Sequence, residues 1–198
     1  MKTIHYTFLA LAAALPLSGC ISLGPKTPDR LLVLTPASPL AAGPARVAGD
    51  AQTVAVAPLT AIPALVTPRV LVSDGTNGIA YLREERWTAA PQILFRSLLA
   101  ETITARTGRV VPDPRLLAVT PNTRLSGQLS SFGYDAANRT AMVVFDATIV
   151  REGSDRLEAR RFSASAPVAS EEGAVVAAGI NQAANQVAAE VADWVGSR

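Results

Sequence analysis

Three stretches in the second half of the chain alternate between apolar and polar residues, as antiparallel strands do when one face is packed and the other is wet. They are residues 125–130, residues 140–151 and residues 157–166. Polar turns at 135–139 and 152–155 separate them. The pattern predicts an antiparallel meander, whose middle strand packs Val143, Phe145, Ala147 and Ile149 against the core.

The first half of the chain is interrupted by proline and glycine and predicts shorter strands. The candidates are residues 31–35, 53–57, 70–72 and 79–82. Residues 74–78 form a turn between the last two, because Gly and Asn accept the positive φ that tight turns require. Residues 36–49 are rich in Pro, Ala and Gly and predict a loop.

Two segments have apolar residues at helical spacing. The first begins near Thr88 and Pro91, continues through ILFRSLLAETI and ends at Gly108. The second extends from about residue 170 to 195, and its stripe consists of Val176, Ile180, Ala183, Val187, Val191 and Trp194. This stripe packs on the core or, alternatively, on a partner helix. Together the elements predict a single α/β domain: a mixed β-sheet with an antiparallel meander and two main helices packed on it.

The first twenty residues have the form of a bacterial lipoprotein signal. Lys2 precedes a short apolar stretch, which ends in the sequence Leu17-Ser18-Gly19-Cys20. This sequence resembles a lipobox, which predicts cleavage between Gly19 and Cys20 and lipidation of the Cys20 thiol. The alternative is an ordinary signal followed by a stray cysteine. The expected organisation is a removed signal at 1–19, a tether at 20–30 and one domain at 31–198.

The expected location is the periplasmic face of the outer membrane. Residue 21 is Ile, whereas Asp after the lipidated cysteine resembles a signal for retention in the inner membrane. Several acyl chains on Cys20 would hold the protein stably, since a single chain binds a bilayer only marginally.

Composition argues against catalysis. The chain has 198 residues, a net charge of +2, one cysteine and one histidine. Cleavage removes His5, and lipid blocks Cys20, so no imidazole base, free thiol or His/Cys metal site remains. The one lysine left, Lys26, lies in the tether. We therefore expect no enzyme activity and no cofactor. Aromatic residues make up 5% and no basic stripe is present, so nucleic-acid binding is not expected either.

The segment from residue 62 to residue 87 is the candidate partner-binding surface. Prolines lower the entropy that a loop loses when it is ordered by a partner, and clustered charge beside an aromatic residue is typical of interfaces. The candidate residues are Ile62, Leu65, Val66, Glu84, Arg86 and Trp87. For Trp87 the alternative is a side chain that fills the core while the neighbouring charges stay solvated.

Several segments, taken in order, resemble the ABC-type transport auxiliary lipoprotein family, the PqiC-type lipoproteins. They are the lipobox at Cys20, the opening Leu32-x-Leu34-x-Pro36, the segment VAVAPLTAIPALVTPRVLV, the Tyr81-Leu82 to Arg86-Trp87 stretch before the first helix, and the meander with Phe132 and Phe145. The chain departs from the family in having Leu32 and Leu65 where aromatic residues are frequent.

The resemblance implies a mixed sheet with packed helices and a role as the outer-membrane partner of an MCE-type transport system. Such systems move phospholipid or other hydrophobic molecules between the two membranes. The expected partners are a periplasmic MCE-type protein, the outer membrane itself and a second copy of the chain. Two other functions remain open. One is another envelope-assembly lipoprotein, for lipopolysaccharide insertion or regulation of cell-wall synthesis, and the other is a lipid carrier with its own apolar cavity.

Overall fold

The computed structural model describes residues 30–43, 45–49, 52–113 and 120–197. In chain order the elements are β1 (Val54–Val56), β2 (Thr60–Ala61), a 3-10 helix (Pro63–Leu65), β3 (Arg69–Ser73), β4 (Ile79–Arg86), α1 (Pro91–Thr107), β5 (Thr123–Asp135), β6 (Thr140–Arg151), β7 (Leu157–Pro167) and α2 (Gly173–Gly196). The predicted signal peptide, Gly19, Cys20 and nearly all of the tether lie outside the described residues.

The meander is confirmed and forms the most regular part of the sheet. β5, β6 and β7 pair antiparallel along almost their whole lengths, and β6 has the predicted bounds. Its predicted core residues, from Val143 to Ile149 at every second position, are all buried. Gly127 of β5 has no side chain because the ring of Phe145 occupies that space: a Cβ there would lie 2.6 Å from Phe145 Cζ.

One sheet contains all seven strands, in the order β4-β3-β5-β6-β7, with β1 and β2 also paired to β5. β1, β2 and β3 follow one another along the same edge of β5 and are parallel to it, at Val54↔Thr123, Thr60↔Gln128 and Leu71↔Gly133. The chain leaves this edge between β2 and β3, at residues 62–68, which we call the proline loop. The predicted α/β domain with a mixed sheet is therefore confirmed.

Both helices cover the face of the sheet that carries Phe145. On α1, Phe95 packs edge-on against Phe145 at 5.3 Å between ring centroids. On α2, Gly179 lets the helix approach β6 so closely that a Cβ would lie 3.1 Å from Ala141 Cβ. The predicted stripe of α2 is the core face, since all its members are buried except Trp194, which is half-buried and lies 5.4 Å from the Phe162 ring.

The helix ends agree with the sequence in part. Pro91 is the first residue of α1, and Gly108 ends it with φ 70°, a conformation that glycine adopts without strain. The N-cap is Ala90 rather than Thr88 and provides no side-chain cap. At the C-terminal end of α2, Arg109 donates to Val195 O at 3.3 Å and Arg151 to Ser197 O at 3.1 Å. These two cations bind carbonyls that the helix leaves unpaired.

The predicted strand at 31–35 is reduced to a single bridge between Leu32 and Trp87. Residues 30–40, which we call the strap, instead extend across the outer surface of both helices. The strap is tied to α2 where Asn181 Oδ1 accepts from Thr35 N at 2.8 Å, and to α1 where Glu101 Oε1 accepts from Leu40 N at 3.0 Å. Beyond Leu32 the described part of the strap does not pair as a strand, because side chains rather than a neighbouring backbone provide these bonds.

Candidate docking surface

The proline loop divides its apolar residues between the core and the surface. Leu65, at the end of the 3-10 helix, is fully buried, which corrects the prediction that it is available to a partner. The 3-10 turn directs its side chain inward, and the Tyr81 hydroxyl donates to Ala64 O at 3.0 Å beside it. Val66 is 60% exposed and Ile62 is half-buried. Of the three apolar candidates, Val66 therefore contributes most to the surface.

Trp87 belongs to the core, which corrects the prediction that its side chain is available at the surface. Its side chain is 2% exposed and meets Phe132 edge-on at 5.7 Å. The backbone of Trp87 is the point where three segments meet: its N–H donates to Pro68 O at 2.7 Å, and it pairs with Leu32 of the strap. The role of Trp87 is to fix the strap and the proline loop relative to the end of β4.

Glu84 and Arg86 lie on β4, which extends four residues beyond the predicted 79–82. The pairing of β4 with β3 is irregular: Leu71 lies opposite Tyr81, but Arg69 lies opposite Arg86, so β4 bulges between these two points. Glu84 is exposed, and Arg86 is half-buried. Because of the bulge, Arg86 lies opposite Arg69 at the start of β3, next to the end of the proline loop.

The bulge creates a pair of like charges. Arg69 and Arg86 are directly opposite each other on adjacent strands, both half-buried, an arrangement that costs stability when no anion is present. The Arg69 guanidinium lies over the Tyr81 ring at 4.3 Å from its centroid, a cation–π contact. Among the described residues, no carboxylate forms a salt bridge with either arginine. We call Ile62, Val66, Arg69, Tyr81, Glu84 and Arg86 the docking surface.

Arg69 and Tyr81 were missed by the sequence reasoning. Tyr81 was used only as part of a family motif, and Arg69 was not singled out. The signal that identifies them is the hairpin: strands on either side of residues 74–78 must pair, which brings the start of β3 to the end of β4. The position of the bulge, which decides that Arg86 is the partner of Arg69, is not visible in the sequence.

A second polar cluster lies on the sheet face opposite the helices. Asp146 of β6 accepts from Arg161 of β7 at 2.6 Å and also bonds Ser130 of β5. The Arg161 guanidinium holds the pKa of Asp146 below its ordinary value. Both oxygens of the Asp146 carboxylate are bonded within this cluster, so it ties the three strands of the meander together.

Aromatic side chains pack the interior between the sheet and the helices. Phe95, Phe132, Phe145 and Phe162 are all buried there. Two depressions beside α1, of about 560 and 340 Å³, are open to solvent and share Leu40, Thr104 and Val111 in their walls. The described residues contain no group of three or more His, Cys, Asp or Glu that could hold a metal ion. None of the helices in the described parts of the chain is long and apolar enough to cross a membrane.

Comparison with solved structures shows the same fold in other proteins. A Xanthomonas campestris protein of the DUF330 family superimposes with a TM-score of 0.62 at 20% identity, over 84% of this chain and 91% of its own. A second, uncharacterized protein gives a TM-score of 0.65 at 12% identity, over 74% of this chain and 93% of its own. A search of curated proteins gives no match.

The sequence itself matches a family model. The model describes the ABC-type transport auxiliary lipoprotein component and matches residues 33–192, which include every strand and nearly all of α2. The match thus spans the sheet, both helices, the strap from its fourth residue and the docking surface. The chain belongs to the family of ABC-type transport auxiliary lipoprotein components.

Proposed function

We propose that the chain is a non-enzymatic, lipid-anchored component of an MCE-type ABC transport system, which moves phospholipid or other hydrophobic molecules between the inner and outer membranes. In this proposal the acylated Cys20 holds the domain at the periplasmic face of the outer membrane. The domain docks the periplasmic MCE-type protein of the same system. Membership of the family supports the link to ABC transport.

The observation that carries the docking role is the register pairing of Arg69 with Arg86, neither of which forms a salt bridge with a carboxylate of the described residues. Two arginines directly opposite each other on adjacent strands are stabilised by a carboxylate that both side chains can reach, because guanidinium–carboxylate hydrogen bonds are strong and directional. The Tyr81 ring contacts Arg69, and the exposed Val66 precedes Arg69 by three residues, so apolar area accompanies the arginines as it does in interfaces. The expected partner surface is therefore acidic with an apolar border.

The filled core favours docking over transport within the domain. A carrier needs an apolar cavity large enough for an acyl chain, whereas a docking module needs only a solid core and a complementary surface. The aromatic rings of the core contact one another at 5.3 to 6.4 Å between centroids, which leaves no room for a lipid between them.

Site-specific photo-crosslinking in cells tests this proposal. A photoreactive residue replaces Val66 on the docking surface or, as a control, Leu157 on β7, which is similarly exposed at 64%. We expect a crosslink from position 66 to the MCE-type protein and none from position 157. Absence of that crosslink at 66, in a chain that is lipidated and folded, contradicts the assignment of this surface.

A further inference from the structure

β4 is an edge strand, and its outer edge is occupied at one end only. It pairs with β3 on one side, and no described strand pairs with it on the other. Just past its last residue the strap bonds this outer edge: Leu32 N donates to Arg86 O at 2.7 Å, and Thr88 N donates to Leu32 O at 2.9 Å. The outer edge of β4 therefore already accepts one extended segment through backbone hydrogen bonds.

The hairpin at the beginning of β4 decides which of its backbone groups point outward. Asp74 N donates to Gly78 O at 3.2 Å, and the antiparallel register continues with Val72 opposite Ala80. Hydrogen-bonded and non-hydrogen-bonded pairs alternate along such a ladder, so Ala80 directs its N–H and C=O toward β3. Its two neighbours along the strand therefore direct theirs away from the sheet.

These neighbours are Ile79 and Tyr81, and we call residues 79–82 the open edge. Its sequence is Ile-Ala-Tyr-Leu, which carries no charge, and Ile79 is 59% exposed. Residues 83–86 are two arginines and two glutamates, and charged side chains protect an edge against pairing with another chain. The open edge lacks this protection, so it is suited to the addition of a strand from another chain.

β7, at the opposite edge of the sheet, differs in this respect. Val168 N donates to Arg139 O at 2.9 Å, so the same alternation puts the outward backbone groups of β7 on its odd-numbered residues. In the second half of β7 these are Arg161, Ser163, Ser165 and Pro167. Three of them are polar and the fourth has no N–H, so this edge is less suited to strand addition.

A depression lies beside the open edge. Its volume is about 180 Å³, and its walls include Val72, Ile79, Ala80 and Ala136. Sites for small molecules have volumes of about 300–1,000 Å³, so this depression fits a single apolar side chain better than a free ligand. When a peptide adds to a sheet edge, its backbone provides the hydrogen bonds and alternate side chains enter such pockets.

We propose that an extended, apolar segment of the MCE-type protein adds to the open edge as a further strand of the sheet. This inference rests on the proposed function and deepens it by naming the form in which the partner binds. The open edge is continuous with the docking surface, because Tyr81 belongs to both and its ring contacts Arg69. The strap shows that the same edge bonds an extended backbone. The carboxylate expected near Arg69 and Arg86 follows farther along the same strand.

Proline substitutions on the two edges test this mode of binding. Ile79→Pro removes one outward N–H and no hydrogen bond to β3, and Ser163→Pro does the same on β7 with respect to β6. Ile79→Val keeps both the N–H and an apolar side chain. Binding of the purified MCE-type protein to the lipidated full chain in detergent is measured by biolayer interferometry. We expect Ile79→Pro to weaken binding by about threefold to tenfold, as the loss of one hydrogen bond does, and the other two variants to bind like the parent.

Hydrogen exchange of the parent chain gives a second readout, which stays valid if Ile79→Pro disturbs the hairpin. The amides of Ile79 and Tyr81 should exchange rapidly in the free chain because they face solvent. With the MCE-type protein bound, their exchange should slow by at least about tenfold. The outward amides of Ser163 and Ser165 on β7 should exchange equally with and without the partner.

Three outcomes overturn the inference, and they can be told apart. If the complex forms but the amides of Ile79 and Tyr81 exchange as in the free chain, the partner does not add a strand, although the docking surface can still be correct. If their exchange slows when the concentration of the chain alone is raised, a second copy occupies the open edge. If the MCE-type protein does not bind the folded parent chain, the proposed function fails, and the inference fails with it.

Discussion

The two halves of the sheet differ in regularity. In the meander, β5 and β6 pair with a single irregularity, and β6 and β7 pair with none. On the other side of β5, the strands are short, a loop leaves the edge between β2 and β3, and the β3–β4 pairing shifts register. The docking surface and the attachment of the strap are both in the irregular half. Regular pairing builds the scaffold, and departures from it bring Arg69, Arg86 and Trp87 to one place.

In the meander half the largest loss of stability is expected for Phe145→Ala, because its buried ring joins the sheet to α1. Phe145 is fully buried and contacts both Phe95 and the space above Gly127. Removing a buried Phe side chain costs about 3–5 kcal/mol. Urea unfolding measures this loss, and Val144→Ala, one residue away on the opposite face, is the control with a much smaller effect. Similar losses for both variants would mean that the two faces of β6 are not distinct.

A second substitution separates core from surface within the proline loop. Leu65→Ala is expected to lower the free energy of unfolding by about 2–4 kcal/mol, because Leu65 is fully buried. Val66→Ala, at the next position, is expected to change it by less than about 0.5 kcal/mol, because Val66 is 60% exposed. Thermal and urea unfolding of the two variants checks the difference. If Val66→Ala destabilises the protein as much as Leu65→Ala, the loop is packed differently from the described structure.

The meander and α1 could be predicted from the sequence because their signals are local. The alternation in 140–151 gives the bounds of β6, and Pro91 and Gly108 mark the ends of α1 through their own backbone preferences. The burial of Leu65 and the pairing of Arg69 with Arg86 could not be predicted. The burial of Leu65 depends on how the proline loop folds back, and the pairing of the two arginines depends on the position of the bulge. Neighbouring strands determine both features, and local sequence does not.

The strap shows the same limit. Its residues look like a strand because Leu31 to Leu34 are all apolar, but they find a partner backbone at only one point. The asparagine that bonds Thr35 lies 146 residues away in sequence. Nothing near the strap in the sequence indicates that a helix surface will hold it.

Removing the two asparagines tests how the strap is held. The double variant Asn181→Ala/Asn185→Ala lacks the side-chain hydrogen bonds to Thr35 and Ala37. We expect its free energy of unfolding to be lower by about 1–3 kcal/mol. Hydrogen exchange at the amides of Thr35 and Ala37 should increase selectively, while the amides of β6 stay protected. Gln182→Ala, on the exposed side of the same helix, is the control. Unchanged exchange at both strap amides in the double variant contradicts the described attachment.

The smallest expected effect is the pH dependence of the Asp146 ion pair in the meander. The folded pKa of Asp146 is held below its ordinary value by Arg161, so the charged form stabilises the folded state. This contribution is complete above the unfolded pKa of about 3.9 and is lost as the pH falls through the lower folded value. Asp146→Asn should therefore be less stable than the parent at pH 7, and the gap should narrow below about pH 4. If the difference in stability between the parent and Asp146→Asn grows on acidification, the ion pair does not stabilise the folded state in the way described.

Charge reversal on the docking surface tests the central claim most directly. Arg86→Glu and Arg83→Glu change the net charge equally on the same strand, but only Arg86 lies opposite Arg69. The lipidated, tagged chain is purified with the MCE-type protein after mild crosslinking. We predict that Arg86→Glu lowers recovery of the partner by at least about tenfold, because loss of one close charge pair costs about 2 kcal/mol or more. Recovery with Arg83→Glu should stay near that of the parent. If the folded Arg86→Glu chain retains its partner as fully as Arg83→Glu does, docking takes place elsewhere, such as the exposed side of α2.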